Sequence, residues 1–312
     1  MTTEVKSKRT ALVRSSELQS TVLTGAGFEG VRQTRLIDAT HGSVHQEVVI
    51  MELAPGGVIP GHFHPFEESF FMLEGEALYA VGGESYRITK GGYGFAPIAA
   101  PHAWRNTSDR PARWIEVRAP QPKTVADARG TYAYPELSAP QGGREVTLED
   151  PTLRHVGLHE PDQMPPYGPI AMRGMVYYCV KHISARLLVQ DALGAVQHLT
   201  FLAQLPPTPA DKRDAVDVMQ ANPVNKTHYH QYEEVYHFLQ GRGLAHLDQE
   251  SFEVGPGDTI LAGVGGSHAV VNIGDEPLLW LETMTPRPPE QNSMFWEKDW
   301  AALTALPVTE GS

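Results

Sequence analysis

The sequence predicts an all-β chain made of two tandem copies of one small antiparallel barrel or sandwich, with few short helices. Three observations predict it. Short segments rich in aromatic and β-branched residues alternate with Gly and Pro. The second half of the chain repeats the first at a constant offset. Each copy carries the same cluster of histidines and glutamate, HFHPFEESFFMLEG at 62–75 and HYHQYEEVYHFLQG at 228–241.

The strand signal comes first. VVIMEL, ESFFML, ALYAV, SYRI, YGFA, HAWRN and RWIEV in the first half, and EVYHFL, LAHL, SFEV, TILA, HAVVN and LLWLET in the second, are short runs at the spacing of a sandwich or barrel. The 29 Gly and 25 Pro suit tight turns between them. A length of 312 residues accommodates two such units.

The repeat comes second. His228 minus His62 is 166, and the same offset relates His64 to His230, Glu68 to Glu234, His102 to His268, Trp114 to Trp280 and Glu116 to Glu282. Upstream, GSVHQEVVIMELAP at 42–55 aligns loosely with GAVQHLTFLAQLPP at 194–207, an offset of 152. The second copy therefore holds 14 extra residues, within TPADKRDAVDVMQANPVNK, just before His228. They read as a lid over the second site or as an ordinary surface insertion.

These features divide the chain into an N-terminal arm (1–15), mobile or embracing a partner; a first barrel (16–120); a Pro/Gly-rich linker (121–170); a second barrel (171–290); and a tail (291–312). The tail contains MFWEKDWAALTAL, which can form a short helix packing through Phe295, Trp296, Leu303 and Leu306.

Composition narrows the function classes. A net charge of −12 gives no electrostatic footprint for nucleic acid, and no basic cluster would hold an anionic membrane. No run of 18 apolar residues spans a bilayer, and MTTEVKSKRTALVRSSEL lacks the apolar core of a signal peptide. Cys179, the only cysteine, excludes an internal disulfide. It reads as a small buried side chain in the strand-like MVYYCVKHI. A cytoplasmic protein is expected.

The clusters carry the chemistry. Residues two apart on a strand face one side, so His62 projects with His64, and His228 with His230. Parity puts Glu68 and Glu234 on the same side as the histidines, with Phe70 and Met72, and Tyr236 and Phe238, following. Glu67 and Glu233 then point away, toward solvent or as supports for the ligands. A later histidine, His102 or His268, completes each quartet of three imidazoles and one carboxylate, a mixture that first-row divalent metals accept. The alternative is a hydrogen-bonded histidine cluster without metal. Four protein ligands on an octahedral ion leave two adjacent positions for water, a chelating substrate, or substrate beside O2.

These residues resemble the two motifs of the cupin superfamily. The first, Gly-x5-His-x-His-x3-Glu-x6-Gly, is met by Gly56, His62, His64, Glu68 and Gly75. The second copy has Asn222 in place of the leading Gly, then His228, His230, Glu234 and Gly241. The second motif, Gly-x5-Pro-x-Gly-x2-His-x3-Asn, is met by Gly91, Pro97, His102 and Asn106, with Ala99 replacing Gly. In the second copy it is met by Gly257, Gly265, His268 and Asn272, with Gly263 replacing Pro. The resemblance implies two tandem cupin (jelly-roll) barrels, each binding one divalent transition metal through three His and one Glu. Fe or Mn is favoured, and Ni, Cu, Zn and Co are also used by the family.

The resemblance leaves the reaction open. The first reading is a non-haem dioxygenase, acting on a small aromatic or enolic substrate that chelates through oxygen, with O2 as co-substrate. Glu68 and Glu234 are then catalytic as well as ligating, and Phe70, Met72, Trp104, Tyr236 and Phe238 line the pockets. The second reading is redox-neutral chemistry, resembling oxalate decarboxylases or ureidoglycine aminohydrolases, with Asp211, Asp214 or Asp217 of the insertion as proton donors. The third is a non-enzymatic small-molecule-binding protein. A homodimer is expected by analogy with barrels that pair through sheet edges.

Overall fold

The computed structural model describes residues 9–122, 130–148, 150–168, 182–208 and 227–288, together with the backbone of 294–296. Almost every element is a strand. Helical structure among the described residues is confined to 3-10 turns such as Ala39–His41 and Asp191–Leu193.

In the first barrel, Glu47–Phe63 is a single 17-residue strand that serves both walls. Its N-terminal half pairs with Glu29–Ile37 and Ala112–Ala119, and its C-terminal half with His102–Arg105 and Tyr132–Ala133. The bend between the halves falls at Gly56, whose φ of 75° is costly for any other residue. The second barrel repeats the layout with this strand divided into Leu199–Leu205 and His228–His230. The 14 extra residues fall between the two pieces and, with Asp211, Asp214 and Asp217, lie outside the described residues. So does Cys179.

Each barrel has an apolar core, around Trp104 and Trp114 in the first and Trp280 and Phe238 in the second. A third core joins them. Ile50, Phe71, Ile115 and Val117 of the first barrel pack with Leu202, Val235, Leu261 and Leu281 of the second. The strands Ala112–Ala119 and Leu278–Thr285 therefore bury both faces. Trp114, Glu116 and Arg118 point into one barrel, and Trp280, Glu282 and Met284 into the other. The intervening aliphatics meet across the interface.

Three expectations need correction. Thr10–Val13 is a strand, antiparallel to Thr259–Ala262, so this part of the arm embraces the chain's own second barrel. Met294–Trp296 is also a strand, paired with His228–His230, where a helix was predicted; the rest of the tail lies outside the described residues. Glu67 and Glu233 point away from the quartets but are not solvated. They are 1% and 0% exposed, because their face of the sheet is covered by the other barrel.

Those two glutamates make reciprocal ties. Glu67 accepts hydrogen bonds from the backbone N–H of Val196 (2.8 Å) and Gln197 (2.9 Å), and from His198 Nδ1 (3.0 Å). Glu233 accepts from the N–H of Val44 (2.6 Å) and His45 (3.1 Å), and from the Ser43 hydroxyl (2.7 Å). Ser69 Oγ lies 2.7 Å from His198 Nε2, which completes a Ser-His-carboxylate chain. Neither Ser69 nor His198 has exposed surface, so the hydroxyl has no route to a substrate. The chain is an interdomain tie.

Candidate metal centres

Two strands and the turns that follow them bring each quartet together. His62 lies opposite His102 in the ladder, and His228 opposite His268, with ring centroids 4.2 and 4.3 Å apart. Glu68 and Glu234 reach in from the neighbouring strands Glu67–Glu74 and Glu233–Gln240. In each set, one ligand atom per residue lies within 4.8 Å of the others, and all eight side chains are buried.

The imidazole orientations are fixed from behind. His62 Nδ1 donates to Pro60 O (2.7 Å) and His102 Nδ1 to Ala100 O (2.9 Å). His230 Nδ1 donates to Tyr232 O (2.7 Å) and His268 Nδ1 to Gly266 O (3.0 Å). A carbonyl only accepts, so the proton sits on Nδ1 and the Nε2 lone pair faces the centre. Phe66 stacks on His64 and Tyr232 on His230, at 4.4 and 3.8 Å between centroids.

These residues fit a cation. Nε2 of His64, His102 and His230 and Oε1 of Glu234 are buried without a hydrogen-bond partner. Glu68 oxygens lie 3.1 Å from His64 Nε2 and 3.2 Å from His102 Nε2, and Glu234 Oε2 lies 3.2 Å from His230 Nε2 and 2.9 Å from His268 Nε2. Donors bonded at about 2.1 Å to one ion are separated by this much when adjacent. Burial, reinforced by His102 and His64, holds His62 well below its ordinary pKa, in the neutral form a metal needs. Burial raises Glu68, but His102 and His64 outweigh it and hold the carboxyl well below the usual range; His230 and His268 do the same for Glu234. His102 is raised because Glu68 outweighs burial.

A cavity of about 170 Å³ opens onto the first quartet, with Trp104, Gln33, Arg35, Glu116 and Arg118 among its walls. Of the predicted pocket residues, Trp104 lines it. Phe70 and Met72 face inward as predicted, yet they are core. Each residue beyond Glu68 moves about 3.3 Å along the strand, and Phe70 already packs on Tyr79 and Trp104, with ring centroids 4.9 and 4.7 Å away. Phe238 is likewise fully buried near Trp280. Tyr236 has a different role: its hydroxyl donates to Glu234 Oε2 at 2.6 Å.

Sequence reasoning missed the ion network beneath the first quartet. Arg118 donates to Glu47 (2.7 Å) and through Nε to Glu116 (2.8 Å), and lies 3.9 Å from Glu68. Trp114 Nε1 donates to Glu116 at 3.1 Å, as Trp280 Nε1 does to Glu282 at 2.8 Å. Burial, then the charge on Glu68, pushes the Glu116 carboxyl up to about 7 against the pull of Arg118. Glu282, with burial and Glu234 acting on it, is raised well above the usual range. The missed signal was the alternation in RWIEVR, which puts Trp114, Glu116 and Arg118 on one face.

Residues 49–118 and 216–284 each match the Cupin domain family. The chain is 47% identical over 57 residues to the uncharacterized protein MJ1618 of Methanocaldococcus jannaschii, covering 17% of this chain and 46% of that protein. It is 32% identical over 77 residues to the tetracenomycin polyketide synthase protein TcmJ of Streptomyces glaucescens, covering 23% and 52%. The chain thus spans about half the length of these relatives. Among solved structures, a variant oxalate decarboxylase of Bacillus subtilis superposes with a TM-score of 0.58 at 15% identity, over 95% of this chain and 81% of that one. The formate complex of Lactobacillus farciminis oxalate decarboxylase gives 0.57 at 16%, over 94% and 90%. At these identities the likeness is one of fold. No helix among the described residues is long and apolar enough to cross a membrane.

Proposed function

Because the chain belongs to the cupin superfamily as a two-barrel member, we propose that it is a metal-dependent enzyme whose first barrel performs redox-neutral chemistry on a small enolisable acid. The observation that carries this reading is that Glu116 and the quartet residues His62, His64 and Glu68 open onto one cavity. A divalent transition metal held by His62, His64, Glu68 and His102 supplies Lewis acidity toward substrate oxygens.

The chain's own residues do the rest. Glu116 gives or takes the proton inside the cavity. Trp114 Nε1 and Arg118 hold its two oxygens, so the carboxyl is oriented before substrate arrives. Trp104, Met51 and Ile59 make the apolar side of the cavity and exclude water. In a decarboxylation, the bond to the carboxylate carbon breaks, CO2 leaves, and the electron pair stays on the substrate as an enolate. The Glu116 proton then goes to the substrate carbon that lost the carboxylate.

The apolar side also favours a second reading, the dioxygenase, since O2 partitions into dry space and a metal held by the quartet would supply redox chemistry toward it. An oxygen electrode and a CO2 assay, run in parallel over β-keto acids and 1,3-dicarbonyls with metal-replete protein, separate the two. CO2 release without oxygen uptake, lost in Glu116→Gln, supports the redox-neutral reading. Stoichiometric oxygen uptake replaces it with the dioxygenase.

A further inference from the structure

The two barrels keep the same ligands but not the same inner wall. The ladder registers identify equivalent positions. Gln33 pairs with Met51 as Ala185 does with Ala203, and Arg35 with Val49 as Leu187 does with Phe201. Glu47 and Arg118 pair with each other, as Leu199 and Met284 do. Arg118 also opposes the ligand Glu68, as Met284 opposes Glu234. At four equivalent positions beside the quartets, the first barrel therefore has Gln, Arg, Glu and Arg, where the second has Ala, Leu, Leu and Met.

The two arginines differ. Arg118 is largely buried and held by Glu47 and Glu116, so its charge is already answered. Arg35 lines the same cavity with its side chain 50% exposed, and its guanidinium lies a loose 3.9 Å from Asp38. Asp38 is itself engaged by Thr40 and His41. The equivalent side chain in the second barrel, Leu187, is 38% exposed and carries no charge. Among the described residues, Arg35 therefore has no carboxylate at hydrogen-bond distance, whereas Arg118 has two. One anionic group on a ligand answers the Arg35 charge.

We propose that the first barrel, and not the second, takes a small organic monoanion whose charged end meets Arg35 at the cavity mouth. This rests on the metal-dependent reading above and assigns the substrate's charge and the residue that recognises it. Arg35 is then a specificity determinant that a barrel with leucine at the equivalent position lacks.

The test is titration calorimetry with benzoate on metal-replete protein, with metal content measured on the same samples. Wild type is expected to bind one benzoate per chain. Arg35→Leu, which copies the second barrel, is expected to bind about tenfold more weakly, the scale of one lost charge-assisted hydrogen bond. Arg35→Lys keeps the charge and is expected to stay within about threefold of wild type. Position 35 is exposed, so folding is not at risk in either variant. Two equal benzoate sites, no benzoate binding, an Arg35→Leu protein with wild-type affinity, or an Arg35→Lys protein as weak as Arg35→Leu each overturn the inference. If metal is present in both barrels, such a failure leaves the metal-dependent reading standing. If no metal is retained, both fall together.

Discussion

Val44 belongs to the first barrel and Glu233 to the second, and the Val44 N–H donates to Glu233 Oε1 at 2.6 Å. Its counterpart is the Val196 N–H donating to Glu67 Oε1 at 2.8 Å. Each tie sits one residue before a ligand carboxylate, Glu234 or Glu68. The strand that presents a ligand to its own barrel is therefore anchored by a loop of the other.

Glu233→Ala would leave the Ser43 hydroxyl and the N–H groups of Val44 and His45 without this acceptor. The Ser43 hydroxyl keeps Gln46 O as an acceptor at 2.7 Å, so at about 1 kcal/mol for each of the two part-buried N–H donors the expected loss is about 2 kcal/mol in urea unfolding. A loss below about 1 kcal/mol would show that the carboxylate is not what holds the loop.

The quartets are separate sites. His228→Ala is expected to lower metal content from two ions per chain to one, by elemental analysis, with the remaining ion in the first barrel. Retention of two ions would show that the second quartet is not a metal site.

Arg118→Met leaves Glu47 and Glu116 buried without their cation, and a loss of about 3–5 kcal/mol is expected. Adding Glu47→Leu recreates the Leu199 and Met284 pairing of the second barrel and is expected to restore more than half of that loss. If the second substitution deepens the loss, the second barrel is a poor guide to the first.

Burial, chiefly, and then Arg113 depress His237 to about 4. An unfolded histidine takes up a proton near 6.5, whereas the folded one stays neutral until about pH 4. The associated stability is present above 6.5 and is lost as the pH falls through that window, up to about 3 kcal/mol. Urea midpoints at pH 7.5 and 5.0 are expected to differ less in His237→Asn than in wild type. An equal difference in both would assign the acid sensitivity elsewhere.

The quartets were legible in the sequence because they depend on local facts. Residues two apart share a strand face, and a constant offset repeats the ligand set. The environment of Glu67 and Glu233 was not legible from the motif strands, since parity says which way a side chain points and not what it meets. Ile115, Val117 and Leu281 held the clue: strands apolar on the face opposite their core are covered on both sides. Pocket depth was missed for a related reason. Phe70 and Phe238 face inward, but a small barrel is filled at one end and open at the other. Thr10–Val13 pairs across some 250 residues with Thr259–Ala262, a contact no local pattern announces.

That last pairing orders events on the ribosome. Thr10–Val13 emerges long before Thr259–Ala262, and in the interval the first barrel is translated in full. The segment must stay unclaimed through the synthesis of one complete barrel before its own docking edge exists. A bulky fusion placed close before Thr10 would burden the C-terminal half of the protein, not the half to which it is joined.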